Sequence, residues 1–233
     1  MKETWLLRRE GAHDPYFNMA MDEILLDLAP TLGAPLIRIY RWDRPSLSIG
    51  CSQLYPESEE ERYTIVRRPT GGGNVFHDRD LTYTAVIPAG HQVTALNRMD
   101  SYRVFHEAML PMLAAFGVAA ELKSDETPGV DRATMKCFVS PSRFDLVAAA
   151  GPKFAGAAQR RTRNGILHQG SIMLSAAGGD WEKLDAALPE ALKEFFHIDF
   201  REAEFPEEWI ERAETLARSK YRTEEWNRAA RHQ

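Results

Sequence analysis

The chain has 233 residues, a formal net charge of −5, and hydrophobic and charged fractions of 44% and 27%, ordinary for a globular unit with a sizeable core. No stretch of about 18 apolar residues exists, so no membrane span is expected, and residues 1–5 lack the apolar run and small-residue cleavage site of a secretory leader. The acidic balance argues against a nucleic-acid protein, and two cysteines, Cys51 and Cys137, form no disulfide framework and fit a reducing cytoplasm.

Residues 5–9 read as a short opening strand. Asp14 before Pro15 is an N-cap with proline at the first helical position. Behind it Phe17, Met21, Ile24, Leu25 and Leu28 recur at helical spacing, which predicts an amphipathic helix of about 14 residues. Residues 36–40 and 47–49 are strand-like, separated by the turn Asp43-Arg44-Pro45. A strand over 64–68 feeds a glycine run, and 81–87 alternates as the strand leaving it. Asp100 is the expected cap of the strongest helix, whose stripe of Phe105, Ala108, Met109, Met112, Leu113 and Phe116 stops at Gly117. Residues 123–135 are polar, carry Pro128-Gly129 and read as an irregular loop. Three strand-like runs follow at 144–148, 154–159 and 165–174, spaced closely enough for antiparallel sheet. From Asp180 onward the tail reads as helical, with charge-rich stretches at 207–219 and 223–231. With no repeat, low-complexity segment or linker, residues 1–233 are expected to form a single α/β domain.

The chemistry concentrates in Arg67-Arg68-Pro69-Thr70-Gly71-Gly72-Gly73-Asn74-Val75-Phe76-His77-Asp78. Three consecutive glycines are costly to order and have nothing to pack. They offer a backbone that a ligand can approach, with N–H donors able to converge on an anion or carbonyl oxygen. Neither a P-loop nor a dinucleotide turn is present, because no Lys-Ser or Lys-Thr follows and the spacing is wrong. A glycine-rich hairpin with surface arginines is the bland alternative, but a hairpin needs at most one or two such residues. His77 either orients this loop or touches substrate. Cys137, in Lys136-Cys137-Phe138-Val139-Ser140-Pro141-Ser142, is a small buried hydrophobe by default. Lys136, Arg132 and Arg143 would lower its thiol pKa if they face it. Cys51 lacks such neighbours and reads as structural. Lys153 opens the small-residue run Phe154-Ala155-Gly156-Ala157-Ala158, which leaves room for another group to pack and sets a compact cation at the mouth of the slot. Arg160, Arg161 and Arg163 beyond it are either a solvated loop or a docking patch for an acidic protein. No cluster with metal-ligand spacing exists, so no metal is expected.

Four segments, in order, carry a resemblance: Asn18-Met19-Ala20-Met21-Asp22-Glu23; Arg67 through His77-Asp78; Lys153-Phe154-Ala155-Gly156-Ala157-Ala158; and His168-Gln169-Gly170-Ser171-Ile172. Together the chain resembles the lipoate–protein ligase and octanoyltransferase family over residues 14–174, with a similar tail at Lys220-Tyr221-Arg222-Thr223-Glu224-Glu225-Trp226-Asn227. The resemblance implies an α+β fold of the biotin and lipoate ligase type, with a mixed, largely antiparallel sheet flanked by helices. It implies an octanoyl or lipoyl chain in a tunnel beside Arg68, Thr70, Gly71, Gly72 and Gly73, with His77, Gly156 and Ala157 also facing substrate. Lys153 corresponds to the family's lysine that contacts the acyl carbonyl or acyl-adenylate. The Gly-Arg-Gly-Arg loop of biotin ligases is absent, which argues against biotin. Pro152 and Asn74 depart from the residues usual at their positions.

Within the family, Cys137-Phe138 followed by Pro141-Ser142 resembles the cysteine-bearing segment of Bacillus-type octanoyltransferases, and no accessory C-terminal domain is expected. The resemblance therefore implies transfer of octanoyl (or lipoyl) from acyl carrier protein, through an acyl-Cys137, to a lysine of a lipoyl domain or a glycine-cleavage-type carrier. Transfer would need no cofactor. The alternative is an ATP- and Mg-dependent lipoate–protein ligase subunit, in which Lys153 binds the acyl-phosphate link and Cys137 only packs. A third reading is a non-catalytic acyl-binding protein. An apolar tunnel would select chain length, since about 0.8 kcal/mol per methylene makes each two-carbon change worth roughly tenfold.

Overall fold

The computed structural model describes residues 2–125, 142–148 and 151–229. Most of the expected loop at 123–135 thus lies outside the described residues, as do Cys137, Arg132 and Lys136.

In chain order the elements are β1 (Glu3–His13), α1 (Pro15–Leu32), β2 (Leu36–Trp42), β3 (Ser46–Ile49), β4 (Thr64–Arg67), β5 (Val75–His77), β6 (Asp80–Pro88), α2 (Gln92–Ala95) and α3 (Arg98–Ala115). There follow β7 (Ala120–Leu122), β8 (Leu146–Ala148), β9 (Lys153–Thr162), β10 (Gly165–Met173), α4 (Trp181–Phe196), β11 (Ile198–Glu202), α5 (Glu207–Leu216), a π-turn (Ala217–Tyr221) and α6 (Glu224–Arg228). The Asp14 carboxylate accepts from the backbone N–H of Tyr16 and Phe17, as the Asp-Pro pair predicts, and α1 runs 18 residues before Gly33 takes a left-handed cap. Asp100 does not cap α3. Asn97 does, accepting the Asp100 N–H, and the helix starts three residues after the last turn of α2. Sequence favoured aspartate because both residues suit a cap and only the backbone decides between them.

The main sheet has the order β11-β1-β2-β6-β10-β9-β8-β7. β1 runs parallel to β11 and to β2; the remaining neighbours are antiparallel, so the sheet is mixed and largely antiparallel. β4-β3-β5 form a separate small sheet. The turn at Asp43-Arg44-Pro45 therefore carries the chain from one sheet to the other rather than closing a hairpin. The tail is not helical throughout: β11 interrupts it and completes the edge beside β1. Its pattern of a few residues between two charged helices is too short to be legible, and the parallel partner lies almost two hundred residues away.

Alternation along the strands fixes the layers. Trp5, Leu7, Ile37, Ile39, Leu81 and Tyr83 face α3 and α4, against Phe105, Met109, Leu188 and Leu192. Leu6, Leu36, Tyr40, Val86 and Leu167 point the other way, to α1, α5 and the π-turn. The result is helices on both faces of the sheet, with the small sheet beside the α1 layer.

Candidate active site

On the α1 side, the inward positions of β6 and β10 include Thr82, Thr84, Gln169 and Ser171, all buried. Polar residues at period two inside apolar strands were the available sequence signal for this site. They meet α1 through Asp22, whose carboxylate accepts from Arg38 at 2.8 Å, Thr84 at 2.8 Å, Gln169 at 2.7 Å and Tyr40 at 3.1 Å. Gln169 in turn accepts from Thr70 at 2.6 Å. A buried charge is held here by a fully engaged set of donors. The set also ties the loop at 70–73 to the sheet, giving the Asp22 of the first motif and the Gln169 of the last a shared purpose.

A narrow slot opens between this face, the small sheet and β9. Met19, Tyr40, Trp42 and Val75 supply apolar wall, and Gly156, Ala157 and Ala158 leave the space that bulkier residues would fill. Arg68, Ser48 and His77 stand on the opposite side. His77 is engaged at both nitrogens: Nδ1 with Asp80 at 2.8 Å and Nε2 with Ser48 Oγ at 2.8 Å, while its ring stacks on Trp42 at 4.0 Å. Asp80 also accepts from Ser171 at 2.6 Å and Thr82 at 3.0 Å, so the carboxylate fixes the ring from the Nδ1 side and the serine hydroxyl from the Nε2 side. That arrangement suits the orienting role considered for His77.

The two arginines before the glycines divide their work. Arg67, buried, points away from the slot and donates to the carbonyls of Gly50, Gln53 and Asn227. Arg68 turns into the loop and donates to the carbonyls of Ser48, Gly71 and Gly73. It shapes the loop from inside and borders the slot at the same time. Gly71 has open space where a side chain would be, the close-approach surface expected of this run.

Lys153 is buried and its Nζ lies 2.8 Å from Asp145, both side chains 1% exposed. Asp145 is the partner that sequence reasoning missed. It sits in a turn where it accepts the Ser142 N–H at 2.6 Å, next to Phe144, which adopts a left-handed φ of 67°. Such a conformation costs a non-glycine residue about 1 kcal/mol or more and is held by its surroundings. Here the Phe144 carbonyl accepts from His106 at 2.7 Å and its N–H donates to Lys123. Tyr102 donates to the other Asp145 oxygen and accepts the Ala157 N–H at 2.9 Å, joining the turn to β9. The absence of a side chain at Gly156 gives Lys153 its room, since a Cβ there would fall 2.2 Å from Lys153 Nζ and force the lysine to shift.

Behind Lys153 two buried histidines stay neutral. Burial pushes His106 down to about 4, against the pull of Asp145, and holds His168 well below its ordinary range. His168 bridges Gln159 and Tyr83, each at 3.0 Å.

Outside the slot lies a groove of about 390 Å³ between α3 and β9, sharing Ala157 and Ala158 with it. Arg160 and Arg161 line this groove but are engaged. Arg160 is 3.5 Å from Glu23, and Arg161 donates to Leu96 O and to Ser101. Arg163 is exposed in the turn between β9 and β10, away from the lining. Cys137 lies outside the described residues.

The same fold occurs in solved lipoate–protein ligases. Lipoate-protein ligase A bound with ATP superposes with a TM-score of 0.77 at 24% identity, covering 97% of this chain and 98% of that one. The bipartite ligase of Thermoplasma acidophilum, solved with its E2 lipoyl domain, gives 0.74 at 22%, covering 100% and 98%. A model of the lipoyl protein ligase A/B catalytic domain matches residues 14–201, and the chain belongs to that family. Among curated relatives, the octanoyltransferase LipM of Staphylococcus aureus is 37% identical over 74% of this chain and 67% of its own length. The octanoyltransferase LipM of Bacillus anthracis is 31% identical over 97% of this chain and 98% of its own.

Proposed function

We propose that the protein is an octanoyltransferase of protein lipoylation, moving an octanoyl (or lipoyl) group from acyl carrier protein to a lysine of a lipoyl carrier domain. The observation that carries this is the buried Lys153 ammonium, held by Asp145 against Gly156, one of the residues that line the apolar slot. The apolar walls of the slot suit a methylene chain, and a fixed cation behind Gly156 is suited to the oxygen of an acyl carbonyl. Identity to octanoyltransferases over nearly the whole chain supports transfer rather than ATP-dependent ligation.

The thiolate of Cys137 attacks the thioester carbonyl; the carrier C–S bond breaks and the carrier sulfur leaves as thiolate, taking up a proton. The neutral amine of the acceptor lysine then attacks the acyl-Cys137. The amide C–N bond forms, the C–S bond breaks, and the amine's proton goes to the departing cysteine sulfur. Lys153 and the N–H groups of Gly71, Gly72 and Gly73 stabilise the oxyanion of both steps. No ATP or metal enters, and the working compartment is the cytoplasm. Cys137 precedes by a few residues the turn at 142–145 that carries Asp145, and this proximity supports its part in the reaction.

The test is to incubate the protein with octanoyl carrier protein without ATP and weigh it. One added octanoyl mass, absent in Cys137→Ala, is expected. Turnover only with free lipoate and ATP would instead make the protein a ligase.

A further inference from the structure

The outer groove concentrates positive charge in a chain whose net charge is −5. Arg98, Arg143, Arg160 and Arg161 all line it, and among the described residues no carboxylate does. Arg160 and Arg161 have partners in the protein. Arg98 and Arg143 have no carboxylate within ion-pair distance among the described residues, and both are exposed. Arg98 is the first residue of α3, an 18-residue helix. A cation there faces the positive end of the helix dipole, which disfavours it. Partial burial, and then Arg98 itself, press the pKa of Arg161 below its ordinary value. Four like charges on one groove, with Arg98 at the wrong end of a helix and neither Arg98 nor Arg143 ion-paired among the described residues, point to an anion supplied by a ligand.

The groove also has the right neighbours. Gly71 and Gly72 border it on one side, and Tyr102, on its floor, hydrogen-bonds the Asp145 that holds Lys153. Arg143 rises from the same turn that turns Asp145 inward. A flexible arm lying in the groove, anchored at its anionic end, would therefore deliver its other end to Lys153. We propose that Arg98 and Arg143 bind the phosphate of the pantetheine arm that presents the octanoyl thioester, making this groove the donor-arm site. The inference rests on the transferase reading and adds the part of the donor that is recognised.

The experiment compares octanoyl-pantetheine with octanoyl-phosphopantetheine as donors, in the whole protein and in the double variant Arg98→Gln/Arg143→Gln. A charge-assisted contact should favour the phosphorylated donor about tenfold or more in kcat/KM, mostly through KM, and the double variant should bring that preference to within about twofold. Both substitutions are at exposed positions, and circular dichroism checks that the fold is kept. Equal kcat/KM for the two donors in the unaltered protein overturns the donor-arm site while leaving acyl transfer standing. Turnover that requires ATP and free acid, and that falls in the double variant, assigns the arginines to nucleotide phosphates and overturns both readings. No transfer from either donor, nor from octanoyl carrier protein, removes the transferase reading and this site with it.

Discussion

Asp145 holds the Lys153 ammonium in a buried ion pair. Taking away one member of a buried ion pair leaves the other desolvated without compensation. Asp145→Asn should therefore lower the unfolding free energy by about 3 kcal/mol, read from urea midpoints, and cut acyl transfer with it. A variant with wild-type midpoint would show that the pair does not hold the lysine. Gly156→Ala separates the two effects. The new methyl group must push Lys153 Nζ aside, so transfer should fall by at least about tenfold through kcat while a soluble, folded protein remains. Unchanged kcat would mean that the ammonium's position is unimportant. Of this centre, Lys153 was legible because small residues follow it. Asp145 was not, because an aspartate after Arg143-Phe144 is an ordinary surface pattern until a left-handed turn aims it inward.

At the scale of elements, the glycine loop is held from three directions. Thr70 reaches Gln169 of β10, Arg68 gathers the loop's carbonyls, and Arg67 ties the incoming β4 to α6. The last tie is reciprocal: Asn227 accepts the Arg67 N–H at 2.7 Å and Trp226 donates to the Arg67 carbonyl at 2.8 Å. Glu23 of α1 clamps the neighbouring π-turn through Tyr221 at 2.7 Å and through Lys220. Asn227→Ala leaves the buried Arg67 N–H without that acceptor, at a cost of about 1–3 kcal/mol. Hydrogen exchange should quicken at residues 66–73 in this variant, and protection unchanged there would refute the coupling. Sequence reasoning placed the loop between strands and marked the tail as similar to the family's. The join between them escaped it, since a buried arginine that serves backbone carbonyls looks, in one dimension, like its slot-lining neighbour Arg68.

Across the whole molecule, neutral His106 and His168 link stability to pH. Both hold fewer protons folded than unfolded once the pH falls below the ordinary histidine value of about 6.5. Stability contributed by these rings is complete above that value and is lost as pH drops toward 4, the value to which His106 is held. Each ring contributes a slope of about 1.4 kcal/mol per pH unit in that window. Urea midpoints at pH 7.5 and pH 5 should differ accordingly, by less in His106→Gln; equal midpoints would mean that burial does not keep these rings neutral. The individual strands and helices were readable from the spacing of apolar residues, and the mixed sheet flanked by helices followed from the family resemblance, but its closure was legible in neither. β1 at one end of the chain needs β11, and β4 needs Asn227. Chains emerge from the ribosome at roughly 5–20 residues per second, N-terminus first. The glycine loop and its arginines thus leave the exit tunnel long before the residues that lock them, and contacts so distant in sequence form late. A half-made copy therefore has the loop without its lock, and the loop is fixed only when α6 has been released.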